Sequence, residues 1–535
     1  MLPANVRFQR NAEAAFVDDT WKVTPKLTLS LGLRYELTPP FTDLINNLFI
    51  VHVPHIYETP GAPQSDWPYF VRQGHCSDPY TANPPIPIRW TVTPAVCSNG
   101  LLPNQLMATR YTDFAPRFGI AYSPDSKTVI RAGFGTFFSQ DQANSPFFDL
   151  GRNLAVRNSN ISTSGTPTVF YSNAFPSTSG STVPVGAPYA YSDNPNHHTA
   201  YSMQYLLNIQ RQFGASWSVE AGYLGSVSHH LAGFWNQNEG IPSPVGTAAS
   251  HLPFGDFTPI QSVEDMGNAE YNALSVKVSK RFSGGLSLIA AYTHAISIDD
   301  TSAIRIQGYD TLFPQNSYCI RCERGPSSFD TRDRLVAGPT YELPVGKGKL
   351  LNINNRFANA IAGGWQTGGA FMLQSGIPQT ITLGTFDNSL TQSGYDRPNA
   401  TGGGSSATNP SPAGWYNRAA FVEAPSGHFG NVGRNTAIAP GVFAINAYVH
   451  KNIVMPYNEH HQVQFRVEAF NVLNHPNFGG PQPNILAGAA FPGAPPNAPH
   501  QGFGAINTLD GLTFNGNGTP TIPMRQLQLG LKYTF

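Results

Sequence analysis

The sequence predicts an all-β fold, a transmembrane antiparallel β-barrel, on three observations. Thirteen segments alternate apolar and polar residues with period two, the signature of a strand with two unlike faces. The connections between them run short, long, short, long along the chain. Charged residues make up 12% of the 535 residues, roughly half the ~25% of a soluble domain, so little charge is available to cover a water-facing surface. No stretch reaches the ~18 apolar residues of a membrane helix. Strands in a closed barrel are then the remaining way to satisfy every backbone group in lipid.

The elements follow in order. A weak segment at 12–21 precedes the clearest one, 27–37, where Leu27, Leu29, Leu31, Leu33, Tyr35 and Leu37 share a face against Thr28, Ser30, Gly32, Arg34 and Glu36. Weaker segments lie near 115–123 and 128–138. Tyr201 to Gln210 alternates again, as does Trp217 to Tyr223, and Leu274, Val276 and Val278 oppose Ser275, Lys277 and Ser279. After weaker segments near 286–297, 333–343, 365–375 and 442–453, Val463, Phe465, Val467 and Ala469 oppose Gln462, Gln464, Arg466 and Glu468. The last segment sets Leu527, Leu529, Leu531, Tyr533 and Phe535 against Gln526, Gln528, Gly530, Lys532 and Thr534.

A soluble sandwich alternates in the same way, so the connections must decide. Short ones fall near 22–26, 124–127, 212–216, 282–285 and 456–460, with a medium one near 344–364. Long ones fall near 39–113, 139–198, 227–269, 299–328, 376–440 and 474–522. Loops beyond ~15 residues are uncommon in compact soluble domains, whereas membrane barrels pair short periplasmic turns with long external loops. The loops at 160–190 and 401–414 are rich in Ser, Thr, Gly and Pro, and the second can bury almost nothing. The expected outward face carries Leu, Val, Ile and Phe, with Trp21, Tyr35, Tyr201, Trp217, Tyr223, Trp365 and Tyr533 as interfacial girdles. The expected inward face carries Arg34, Glu36, Arg117, Arg131, Glu220, Lys277, Arg334, Arg466, Glu468 and Lys532. There they would pair along the wall or with something inside it.

Net charge is zero, and no basic stripe suggests nucleic acid. The sequence has no G-x-S-x-G, H-E-x-x-H or phosphate-binding loop, so no enzyme, catalytic residue, cofactor or metal ligand is expected. Asp18-Asp19 and Asp299-Asp300 point apart if they lie on strands. The His pairs at 197–198, 229–230 and 460–461 read as surface histidines. Cys76, Cys97, Cys319 and Cys322 all fall in long loops. Cys76 with Cys97 and Cys319 with Cys322 is the simplest disulfide pairing in an oxidising location, although sequence alone leaves connectivity open.

Several stretches resemble a known family. Phe16-Val17-Asp18-Asp19-Thr20-Trp21-Lys22-Val23-Thr24-Pro25-Lys26-Leu27-Thr28-Leu29-Ser30-Leu31-Gly32-Leu33-Arg34-Tyr35-Glu36 resembles a stretch of TonB-dependent receptor barrels. Asp330-Thr331-Arg332-Asp333-Arg334 leading to Tyr341–Lys349, Phe429-Gly430-Asn431-Val432-Gly433-Arg434-Asn435, and Arg466 to Gly479 are similar to the Oar-like branch. The resemblance implies a 22-stranded barrel in the outer membrane of Gram-negative type, of which residues 1–535 would form the C-terminal 13–14 strands. It implies uptake or recognition of a bulky solute, with an extracellular ligand of unknown identity. It also implies partners beyond the outer-membrane lipid: an N-terminal plug, a TonB-type energy-coupling protein, and the barrel assembly machinery reading the terminal Phe535. A structural or adhesive barrel and a passive porin-like barrel are the alternatives. Counting thirteen strands back from a descending last strand starts the chain on the external side. Met1 to Phe8 lacks the apolar core of a signal peptide. Both lead to the expectation that plug and coupling region lie upstream of this chain.

Overall fold

In the computed structural model the described residues are 7–44, 48–74, 96–97, 102–103, 105–139, 190–255, 257, 259–302, 313–455, 458–487, 502–506 and 524–535. The dominant element is one sheet in which thirteen long strands lie side by side in chain order. They are β1 Glu13–Thr24, β2 Leu27–Leu37, β3 Asp113–Asp125, β4 Thr128–Phe138, β5 Tyr201–Phe213, β6 Trp217–Asn236, β7 Ile260–Ser283, β8 Leu286–Asp299, β9 Asp333–Glu342, β10 Trp365–Gln374, β11 Val442–Met455, β12 Asn458–Phe470 and β13 Gln526–Thr534. Each of the thirteen expected segments is one of these strands, and every neighbouring pair is antiparallel. Among the described residues the outer edges of β1 and β13 pair with no other strand. No helix is long and apolar enough to cross a membrane.

Directly opposed residues in an antiparallel ladder project to the same side, so register shows whether the two faces stay distinct across the sheet. They do. Leu31 opposes Phe118, which opposes Phe134, which opposes Tyr205. Further along, Leu207 opposes Tyr223, which opposes Leu274; on the same face one step along, Val276 opposes Tyr292, which opposes Leu335, which opposes Leu373. At the far end Val467 opposes Leu529. The row lies bare: Leu31, Phe118, Phe134, Tyr223, Leu274 and Leu529 are all exposed. A wall that shows a continuous apolar band to its surroundings is solvated by lipid.

Short turns close the other end. Between β7 and β8 the link is Gly284-Gly285, both at positive φ (59° and 82°), where a two-residue hairpin needs conformations that side-chain-bearing residues resist. Between β3 and β4 the Asp125 carboxylate accepts from the Lys127 N–H at 2.7 Å. The medium connection contains a short helix, α1 Arg356–Ala362, capped by the Asn355 side chain.

The expected long connection at 227–269 shrinks to 237–259, because β6 and β7 keep pairing well past their neighbours. The apolar and polar alternation fades from Leu224 and Gly225 onwards, and register shifts after Ser228 and Leu231 break the ladder beyond it. The described parts of the long loops are also built rather than irregular. Their short strands pair among themselves, Phe49–His52 with Tyr69–Arg72 and Asn399–Ala400 with Phe421–Val422. Ala190–Asp193 adds a parallel strand to the projecting part of β7. The apolar cores of the molecule sit in this loop cap. One joins Phe49, Val51, Ala190, Phe254, Phe257 and Ile260; another joins Ile381, Leu383, Tyr416, Phe421, Val432 and Ile485.

Candidate functional site

Two regions are the candidates: the inward face of the wall and the loop cap. All ten expected inward charges fall on one face by register. Arg34 lies opposite Ala115, Gly32 opposite Arg117, Ala121 opposite Arg131, Gln210 opposite Glu220, and Glu220 opposite Lys277. Thr293 lies opposite Arg334, and Gln464 opposite Lys532. Their partners are local. Arg34 pairs with Glu36, and Arg466 with Glu468 at 2.5 Å, each two residues along its own strand. Arg131 donates to Gln210 at 3.0 Å, and Glu220 accepts from Asn208 at 2.9 Å. The Arg466 guanidinium also sits 5.3 Å over the Tyr448 ring. A groove of about 520 Å³ runs along β1–β3 past Phe16, Asp18, Arg34 and Arg117. It opens on the unpaired edge of β1 and encloses nothing, so it is not assigned a ligand.

The expected girdle residues split between the two ends. Trp21, Trp217, Trp365 and Tyr533 lie near the short-turn end, and Tyr35 and Tyr201 at the loop end. Tyr223 lies within the wall, where its hydroxyl donates to Asn272 at 2.6 Å.

The cap is held by buried charge. Arg434 is the hub: its side chain pairs with Asp299 and donates to the Asp299 carbonyl at 2.6 Å, the Glu323 carbonyl at 2.8 Å and Ser302 Oγ at 3.1 Å. Next to it Arg397 pairs with Glu323 at 2.6 Å and shares Gln315 with the Gly430 carbonyl. Both pairs are almost fully buried, which a protein tolerates only when the charges are paired and hydrogen-bonded. Gly430 admits no side chain: a Cβ there would lie 1.9 Å from the Arg397 carbonyl oxygen. Asn435, at φ 55°, donates to the Pro326 carbonyl, and its side-chain oxygen accepts from Thr380. Asn477 accepts from the Phe443 N–H at 2.8 Å, anchoring the last long loop to the start of β11. Two of the stretches that carried the family resemblance, Phe429–Asn435 and the end of Arg466–Gly479, therefore supply staples of the cap, whereas Phe16–Glu36 lies in the wall.

Two buried acids stand apart. Burial pushes the Glu239 carboxyl up to about 8; its Oε2 accepts from the Ser317 N–H at 3.0 Å, and Tyr318 donates to its carbonyl at 2.7 Å. Asp193 is held well above the usual carboxylate range by burial, with Asp265 and Glu264 adding to the effect and His197 opposing it. Asp265 lies 3.2 Å from His197 and accepts the His198 N–H at 2.7 Å.

The histidine expectation needs correcting in part. His197 is buried, and the His198 and His230 rings stack at 4.8 Å, because pairing of β5 with β6 brings the two His pairs to one place. Sequence spacing carried no sign of this. His461 meets Tyr533 near the end of β13. Among the described residues no group of three or more His, Cys, Asp or Glu is placed to hold a metal. Asp18 and Asp19 do point apart, opposite Gly32 and Leu31. Asp299 turns to Arg434 while Asp300 faces Arg324. Cys319 and Cys322 form a disulfide; the Cys76–Cys97 pairing lies outside the described residues, as does the loop at 160–189.

A family model described as an outer membrane beta barrel domain matches residues 2–528. A comparison with curated protein sequences finds no match. Among solved structures, 99% of the chain aligns with 43% of the pyoverdine outer membrane receptor FpvA from Pseudomonas aeruginosa, at 11% identity and a TM-score of 0.44. It aligns over 98% with 43% of BauA, the ferric preacinetobactin receptor from Acinetobacter baumannii, at 10% identity and a TM-score of 0.41. It aligns over 99% with 46% of the FrpB iron transporter from Neisseria meningitidis, at 10% identity and a TM-score of 0.41. The chain thus spans less than half the length of these structures.

Proposed function

Because the chain belongs to the outer membrane beta barrel domain family and so lies in the outer membrane, we propose that it is the C-terminal part of a TonB-dependent receptor of the Oar-like branch. In this reading it forms most of the wall and the ligand-selecting loops for energy-coupled uptake or recognition of a bulky solute. The plug, the contact with the energy-coupling protein and the remaining strands belong to a preceding region. It is a receptor or transporter and not an enzyme. Phe535, at the end of β13, is the residue for the assembly machinery.

The observation that carries the proposal is the open wall. A barrel in lipid must close, because an unpaired strand edge exposes backbone donors and acceptors to hydrocarbon. Here β1 and β13 each lack a second neighbour among the described residues, and both strands run in the same direction, from the loop end towards the short turns. Further strands between them would both complete the ladder and restore an even count. The motif stretches quoted above, two of which supply staples of the cap, support the branch.

An immunoblot of separated outer membranes, with an antibody to residues 401–425, tests it. A band well above 57.9 kDa is expected. A band at that size, with ion conductance from the purified chain, would instead favour a self-contained passive pore, and a band at that size without conductance an adhesive barrel.

A further inference from the structure

The connection between β9 and β10 breaks the pattern of the molecule. Elsewhere among the described residues outside the wall, large apolar side chains are gathered into cores of the cap or stand bare at scattered positions, as Leu44, Val245 and Leu473 do. Here four large ones stand bare within a dozen residues: Leu350 at 87% exposure, Leu351 at 59%, Phe357 at 81% and Ile361 at 75%. Phe357 and Ile361 are four apart on α1 and so share one face. The segment is ordered by its own bonds. Asn355 caps α1 by accepting from the Phe357 and Ala358 N–H groups at 2.9 and 3.0 Å. Asn359 accepts the Lys347 N–H at 2.7 Å.

Its attachment says which way it lies. Trp365 and Lys451 oppose each other at the short-turn end of β10 and β11, on the face that carries Phe371, Ile445, Leu373 and Phe443, the lipid face. From that face the Trp365 indole N–H donates to the Ile361 carbonyl at 2.9 Å. Lys451 donates to the Ile361 and Gly363 carbonyls at 2.8 and 2.6 Å. The helix end is thus tied to the outside of the wall, level with its aromatic girdle. Lys347 and Arg356 are exposed on the same segment, and Lys349 pairs with Glu342 at 2.9 Å.

We infer that residues 347–361 form an interfacial anchor, in which Phe357, Ile361, Leu350 and Leu351 enter the periplasmic leaflet and Lys347 and Arg356 meet phospholipid phosphates. The surface is continuous with the lipid band of the wall, and its basic groups complement the phosphate layer at that depth. Bare apolar side chains beside cationic ones are the composition of segments that lie in a membrane interface.

A photo-crosslinking residue placed at Phe357, in the chain as it exists in its outer membrane, tests this. After irradiation an adduct of phospholipid mass is expected, in yield roughly fivefold above the same probe at Asn352, an exposed polar position on the segment. Equal yields, an adduct to a protein, or no lipid adduct in a chain whose heat-dependent gel mobility reports a folded wall would overturn the inference. Where the Phe357 probe blocks assembly, Leu350, outside the helix, reads the same surface with the same outcomes.

Discussion

The wall and the cap use the same residue types for opposite ends. In the wall, large apolar side chains such as Leu207 and Tyr223 are exposed, and order comes from the backbone ladder. In the cap, Phe254, Leu48 and Ile381 are fully buried, and charges lie buried with them. The difference follows from the solvent. A wall in lipid gains nothing by hiding apolar groups from hydrocarbon and must satisfy every N–H and C=O through neighbouring strands. A cap in water must bury apolar area to hold any shape at all.

The sharpest way to break the comparison is to remove a buried charge. Arg434→Ala leaves the Asp299 carboxylate buried without its partner, a loss of about 3–5 kcal/mol that should fall on the cap. Limited proteolysis should then open the loops at 313–332 and 376–440, while heat-dependent gel mobility of the wall stays unchanged. Loss of both together would show that wall and cap fold as one unit.

Two adjacent leucines test the wall. Leu207 and Leu206 are 48% and 47% exposed, yet register puts Leu207 on the lipid face and Leu206 on the wet one. Leu207→Arg is expected to cost about 2–4 kcal/mol in a denaturant titration in bilayers. Leu206→Arg should stay within roughly 0.5 kcal/mol of the parent. Equal costs would mean that the faces are misassigned.

Smaller effects sharpen the cap. Glu239 is raised to about 8 in the fold, so the folded cap binds a proton that the unfolded chain releases near pH 4.5. Its contribution is complete below the unfolded value and is lost as pH rises through about 8. Protease sensitivity of the cap should therefore increase from pH 5 to pH 8, and Glu239→Gln should flatten that rise. Smallest of all, the Cys319–Cys322 disulfide closes only a three-residue separation, so its reduction should shift cap stability by less than about 2 kcal/mol, read by the same proteolysis.

The same contrast explains what was legible in the sequence. A wall strand needs only alternation along its own length, so Leu27–Leu37 and Gln526–Thr534 declare themselves without their neighbours. The inward charges followed for the same reason. The cap is built by partners far apart: Arg434 and Asp299 are separated by 135 positions, and no period links them. Local pattern showed the family stretches but not that Arg434 and Asn435 act as staples. It missed the full length of β6 and β7, because Gly, His and acidic residues interrupt the alternation where the hairpin leaves the bilayer. It also missed the convergence of His198 with His230, which depends on register alone.

That hairpin has a consequence for anything approaching the cell. β7 has 24 residues, about 80 Å of ladder at ~3.3 Å per residue, against a hydrocarbon layer of ~30 Å. Even with tilt, a large part of it stands clear of the membrane and carries folded cap segments with it. In the described loop segments an arriving molecule meets a paired and packed relief carried on the ladder. Where it docks on these ordered segments, little freedom is left to be lost, so a fit there can be selective without the entropic penalty of ordering them around the guest.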